Sequence, residues 1–152
     1  MRHRCRHCGV TLVELLAVMA VVAILATLAY PSFLKATQRA HRLDARLALQ
    51  RIQYLQERHY AEHLRYAERL GGESGAADAL AMPERTDSGS YVLSVTAGGD
   101  GQSFVALAAA SHGGRQASDS DCQQFAVDEA GRRRSADAGG TWTGTDMHRC
   151  WG

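Results

Sequence analysis

Proline is scarce in this sequence, 2 residues in 152 against 15 glycines, which excludes a proline-rich disordered linker. Charge of one sign is also missing. With 17 basic and 16 acidic residues the formal net charge is +1, so neither sign dominates the long-range field, and a globally basic nucleic-acid binder or an acidic tail protein is excluded. The chain lacks the length for two full domains, since roughly 100 to 200 residues make one, and no internal repeat is visible. What is present, 22% charged and 45% hydrophobic residues, fits one folded unit whose function must be sought in local distribution.

That distribution is uneven. Residues 1–9, MRHRCRHCG, hold Arg2, Arg4 and Arg6 and no acid, whereas residues 10–30 contain only Thr11, Glu14 and Thr27 as polar side chains. As a helix rising about 1.5 Å per residue, such a run spans roughly 30 Å, the hydrocarbon thickness of a bilayer. The basic flank is expected to stay cytoplasmic, leaving the chain beyond Tyr30 outside the inner membrane. Three readings compete: a cleaved secretory signal, with small residues at Thr27 and Ala29 for the peptidase; an ordinary anchor; and a segment that uses Glu14. A lipoprotein signal does not fit, because Cys5 and Cys8 precede the apolar run. A carboxylate inside that run costs roughly 2.5 to 3.5 kcal/mol at helix-centre values, less near the interface, and a disposable signal gains nothing from it.

The run Gly9-Val10-Thr11-Leu12-Val13-Glu14-Leu15, after a short basic leader, resembles the type IV prepilin signature, Gly-Phe-Thr-Leu-Ile/Val-Glu-Leu/Met followed by an apolar stretch. The resemblance implies that Gly9 is the last leader residue, that a prepilin peptidase cuts on the cytoplasmic side, and that Val10 becomes a methylated N-terminus. It makes Glu14 the fifth mature residue and Pro31 the helix-bending proline. Val10 departs from the pattern, standing where the family usually has Phe. Cleavage removes three arginines and no acid, leaving 14 basic against 16 acidic residues, a formal charge of −2. It also creates a free amine at Val10 near Glu14, and across two subunits each group can relieve the other's desolvation and set axial register.

Beyond Pro31 the pattern becomes amphipathic. Proline removes one backbone donor, and helix-forming residues resume at once, so a bend without a stop is expected. Ala45, Ala48, Leu49, Ile52 and Leu55 recur at helical spacing, with Arg46, Gln50, Gln53 and Glu57 opposite. Gly71-Gly72 is a plausible stop, so residues 10–70 read as one long helix, membrane-embedded over 10–30 and amphipathic over 31–70. In the remaining stretch, 71–152, residues 91–97 alternate as a strand, 98–101 form a turn, 103–110 and 123–128 are further strands, and the Gly/Ala/Ser-rich residues 71–89 connect helix to sheet. The fold class is therefore α+β: a long N-terminal helix packed on a small antiparallel sheet of three or four strands.

Of the four cysteines, Cys5 and Cys8 fall in the leader, and Cys122 and Cys150 remain where oxidation is permitted, so a disulfide between them is expected. Closing that loop contributes roughly 3 to 4 kcal/mol in the chain-entropy account. Asp121-Cys122, residues 125–128, Gly131 and Cys150-Trp151 resemble the C-terminal region of PilE-type minor pilins. His3, Cys5, His7 and Cys8 have metal-ligand composition but sit in a short leader with no second shell. His59-Tyr60-Ala61-Glu62-His63 matches H-x-x-E-H, a zinc-protease spacing. The amphipathic stripe puts both histidines on the apolar face with Tyr66 and Leu70, and the sequence places no third ligand, so neither metal, cofactor nor catalysis is expected. Arg132-Arg133-Arg134 is the one basic cluster outside the helix, ordinarily a solvated turn. Some minor pilins of DNA-uptake machines bind DNA through C-terminal arginines, and the resemblance makes these three, joined by Arg115 and Arg149, candidate phosphate contacts, while Arg39, Arg42, Arg46, Arg51 and Arg58 are expected to meet acids on neighbouring subunits.

The sequence thus reads as a type IV pilus minor pilin, made as a prepilin, anchored in the inner membrane and assembled with other pilins into an extracellular fibre that serves motility, adhesion or DNA uptake. The alternatives are a type II secretion pseudopilin, a DNA-binding minor pilin, and, from a different class, a single-pass periplasmic enzyme using His59 and His63. Glu14→Val should leave membrane insertion intact and reduce the fraction recovered in sheared fibres; incorporation at the wild-type level refutes the assembly role of Glu14.

Overall fold

The computed structural model describes residues 11–71, 76–143 and 147–152. Gly9 and Val10, with the remainder of the expected leader, lie outside the described residues. The first helix, α1, runs Leu12–His63 with Pro31 inside it, and the chain divides into units of residues 1–37 and 38–152.

In the first unit, side chains 11–36 are exposed, among them Leu12, Leu15, Met19, Val22, Leu25 and Phe33. An uninterrupted apolar helix without cover must find lipid or other helices, and its backbone is self-satisfied in a way only helices and barrels achieve. Hydroxyls near the proline bond back to the helix: Thr27 Oγ1 donates to Ile24 O at 2.7 Å and Ser32 Oγ to Ala29 O at 2.8 Å.

In the second unit, α1 buries Ala45, Leu49, Ile52, Gln56 and His59, a stripe at alternating spacings of four and three in which Gln56 joins the expected apolar face and its histidine, His59. Ala48 and Leu55 pack at its margin. The helix ends at His63, not at Leu70. Leu64 takes φ 56°, and the chain folds back so that Gln56 brackets Ala67, its Nε2 donating to Ala67 O at 2.9 Å and its Oε1 accepting Ala67 N at 2.8 Å. Tyr66 packs on Phe104 and Tyr60. A buried amide reproducing a backbone pair, together with aromatic burial, outweighs the helical propensity of 64–70.

Two short parallel strands follow, β1 (Arg69–Leu70) and β2 (Ala79–Leu80). The main sheet has five antiparallel strands in chain order: β3 (Tyr91–Ala97), β4 (Phe104–Ala110), β5 (Gln124–Asp128), β6 (Arg133–Ala136) and β7 (Trp142–Thr143). β3 and β4 form the expected hairpin, and β5 the expected third strand. Tyr91, Leu93 and Val95 pair across with Ala110, Ala108 and Ala106, and this face joins the helix stripe in one core with Phe104, Phe125 and Val127. β6 and β7 carry the sheet beyond the three or four strands expected. The Arg132–Arg134 run is therefore a turn only at Arg132, which closes the turn made by Asp128 and Gly131, and Arg133 and Arg134 enter the ladder opposite Val127 and Ala126.

Cys122 and Cys150 form a disulfide spanning 28 positions, with Cys150 at the end of the short helix α2 (Met147–Cys150). Cys122 is tied to the helix through Asp119. Arg42 grips that buried carboxylate with Nε at 2.6 Å and Nη2 at 2.7 Å, and the same carboxylate accepts Gln116 Nε2 at 2.6 Å and the main-chain N–H groups of Asp121 and Cys122. Hydrogen bonding to Asp119 holds the Arg42 guanidinium still further towards its charged form. Tyr91 donates its hydroxyl to Cys122 O at 3.0 Å, and burial pushes its ionisation up. Removing one partner of such a pair strands a buried charge, so Arg42→Ala should destabilise the detergent-solubilised chain by roughly 3 to 5 kcal/mol in urea unfolding, and the apolar pair Arg42→Met with Asp119→Leu by much less; equal losses for both variants refute the interpretation.

Candidate nucleic-acid interface

The three consecutive arginines have three different environments, because strand alternation and a turn separate them. Arg132 closes the β5–β6 turn: its Nε reaches Asp128 at 2.7 Å and its Nη2 lies 3.7 Å from Glu129. Asp128 is itself buried and also accepts the N–H groups of Ala130 and Arg132. Burial pushes this carboxyl up, but the main-chain and guanidinium hydrogen bonds of Arg132 outweigh it and hold the carboxyl below its ordinary range. The charge of Arg132 is therefore largely spent on the fold.

Arg133 and Arg134 have no carboxylate partner among the described residues, and both are exposed. Arg133 lies with its guanidinium carbon 5.3 Å from the centroid of the Trp151 ring, a cation–π placement. The indole N–H of Trp151 donates to Arg134 O at 3.2 Å, and the ring meets Phe125 edge-on at 5.4 Å. The disulfide holds this tail in place, since Trp151 directly follows Cys150. Arg149 is exposed, with Nη1 3.6 Å from Asp121, and its carbonyl accepts Arg42 Nη1 at 3.3 Å. Arg115 opens the 3₁₀ turn Arg115–Ser118, in the connection between β4 and β5.

At the other end of the chain, Glu14 sits in the first turn of α1, and its N–H donates to Thr11 Oγ1 at 3.3 Å. Thr11-x-x-Glu14 is the spacing of a helix capping box, and Thr11 supplies its half by accepting the Glu14 N–H, which leaves the Glu14 carboxylate to the assembly role expected of it.

The sequence profile described as "Type IV minor pilin ComP, DNA uptake sequence receptor" matches residues 31–126, and that of the prokaryotic N-terminal methylation motif matches residues 4–30. The chain belongs to this family of type IV minor pilins. It is thus a membrane-anchored pilin and pilus component of a structural family, and its methylation motif implies processing by prepilin peptidase. A solved structure described as a type IV pilin from Shewanella oneidensis is 27% identical, covering 63% of this chain and 89% of that one, with a TM-score of 0.45. No curated protein matches the chain.

In this minor pilin the H-x-x-E-H spacing serves packing. His59 is buried, its Nδ1 2.9 Å from Arg65 O and its Nε2 3.3 Å from Ala76 O, while His63 stacks on it at 4.3 Å with Nδ1 3.2 Å from His59 O. Both nitrogens of His59 face main-chain oxygens, and Glu62 faces Arg58 at 3.7 Å. Among the described residues no group of three or more His, Cys, Asp and Glu side chains could hold a metal ion.

The lowered Asp128 carboxyl has a pH consequence. Its folded-state ionisation lies below the unfolded value of about 3.9, so the stability it contributes is present at neutral pH and is lost as pH falls through the folded value. Asp128→Asn should flatten the acid limb of stability between about pH 5 and pH 2 in thermal unfolding; an unchanged limb refutes the assignment.

Proposed function

We propose that this minor pilin is a DNA receptor of an uptake pilus. Prepilin peptidase cuts after Gly9 and exposes Val10. Residues 10–30 hold the chain in the inner membrane with the sheet domain on the periplasmic side, and Glu14 pairs with the terminal amine of a neighbouring pilin as the fibre grows. In the fibre, Arg133 and Arg134 meet the phosphates of duplex DNA.

The observation that carries the DNA reading is the pair of adjacent, exposed arginines on β6 with no carboxylate within ion-pair distance among the described residues, one of them seated on Trp151. The matched family is described as a DNA uptake sequence receptor, which supports the same reading. Phosphate contacts position a protein on DNA without reading sequence, and each one neutralised releases counterions, so binding should fall steeply with salt. Arg132 contributes less, because Asp128 and Glu129 already neutralise it.

The full chain in non-ionic detergent should retard labelled duplex DNA at about 50 mM salt and much less at about 200 mM. Arg133→Ala with Arg134→Ala should reduce the slope of log K against log salt by about two, at roughly 0.9 per phosphate. No retardation at low salt, or retardation that survives Arg133→Glu with Arg134→Glu, defeats the proposal.

A further inference from the structure

A second set of arginines lies on the other side of Trp151. Arg39, Arg42 and Arg46 recur along one face of α1, and with Arg149 of the tail they rim a groove of about 490 Å³ floored in part by Ala40 and Leu43. The four differ in how far their charge is already met. Arg42 is spent on Asp119 and is 14% exposed. Arg46 places Nη1 2.7 Å from the main-chain oxygens of Trp151 and of Gly152. Among the described residues the Arg149 side chain meets Asp121 at 3.6 Å, a pair with both side chains exposed, of the kind worth little in water. Arg39 is exposed and has no partner among the described residues.

Trp151 connects this groove to β6. Its carbonyl holds Arg46 while its ring lies beneath Arg133, so one residue separates the helix arginines from the strand arginines. Arg39, Arg42, Arg46, Arg149 and Arg133 then form one band, within which Asp119 and Asp121 pair with Arg42 and Arg149. Guanidinium forks match phosphate oxygens bidentately.

We propose that this groove is a second phosphate-binding strip of the DNA site, in which Arg39 and Arg149 contact the phosphodiester backbone and Arg46 and Arg42 hold the groove's walls. The inference rests on the reading of the chain as a DNA receptor, and it enlarges the footprint from β6 across Trp151 onto α1. A lipid surface offers the same phosphodiester chemistry. The band's continuity with Arg133 on the sheet favours DNA, because it leads away from the helix instead of along it.

The test is anisotropy of a labelled duplex of arbitrary sequence, titrated with the full chain in non-ionic detergent between about 50 and 200 mM salt. Arg39→Ala with Arg149→Ala should lower the slope of log K against log salt by about two and weaken binding by roughly tenfold or more. Arg39→Lys with Arg149→Lys should keep most of the slope, and Arg51→Ala, an exposed arginine of the same helix outside the groove, should leave it unchanged. An unchanged slope for Arg39→Ala with Arg149→Ala, alongside a reduced slope for Arg133→Ala with Arg134→Ala, overturns the groove and leaves the receptor reading standing; no binding by the wild-type chain removes both. If the groove variant keeps its DNA slope but loses retention on phosphatidylglycerol nanodiscs, the groove serves a lipid surface and the proposal is overturned.

Discussion

The ion pair of Arg42 and Asp119 is the constraint on which the C-terminal half of this pilin depends. Asp119 is 2% exposed, and a carboxylate there is tolerable only because a bidentate guanidinium, a glutamine amide and two main-chain N–H groups converge on it. The pair joins α1 to the segment that begins with Cys122, and the disulfide passes that attachment to the tail. Arg42 also reaches the carbonyl of Arg149. The helix therefore fixes where Arg149 and Trp151 lie, and through Trp151 it fixes Arg133. An interaction that is expensive to bury is used here to set position, with the sheet core supplying most of the apolar stabilisation.

Charge in this molecule is sorted by what already neutralises it. A run of three arginines reads in sequence as one patch, yet a turn carboxylate takes the first, an indole ring the second, and the third faces the opposite side of the ladder with no ion-pair partner among the described residues. The same sorting acts on α1, where Arg42 and Arg58 face acids of their own chain and Arg39 faces none among the described residues. Arginine count is thus a poor measure of an anion-binding surface. The useful measure is the set of guanidinium groups whose nearest acceptors are uncharged main-chain oxygens, weakly held exposed acids or aromatic faces.

Much of this was legible in the sequence because it rests on periodicity and composition. The apolar run of 10–30, the stripe of Ala45, Leu49 and Ile52, and the β3–β4 hairpin each declare themselves through hydropathy or through a repeat of 3.6 or of 2. The features that escaped have a different physical origin. The helix stops at His63 with no glycine or proline to signal it, because Gln56 and Tyr66 supply tertiary contacts that a propensity count cannot see. β6 escaped because Arg133, Arg134, Ser135 and Ala136 carry no apolar alternation; pairing with β5 alone makes them a strand. The Thr11-x-x-Glu14 capping spacing is visible in the sequence but is contained within the larger prepilin motif. At the proposed interface, the arginines could be named from sequence, but Trp151 as the residue between them could not, since its neighbours are distant in the chain.

A formal charge of +1 excludes a globally basic protein, and that exclusion is compatible with a DNA-binding surface once distance is considered. At about 0.1 M salt the Debye length is roughly 10 Å, so a phosphate against Trp151 responds to the arginines in contact with it and only weakly to acids farther off. Asp128, Glu129 and Asp78 face arginines of their own, and their fields are further reduced by that pairing. Under the proposed function, non-specific affinity comes from the local band and not from net charge, and it carries the salt dependence of a few direct contacts instead of a broad electrostatic cloud. A receptor built this way can be displayed among many other pilins without drawing every polyanion to the fibre, because the attraction begins only within about a Debye length of one disulfide-bound tail.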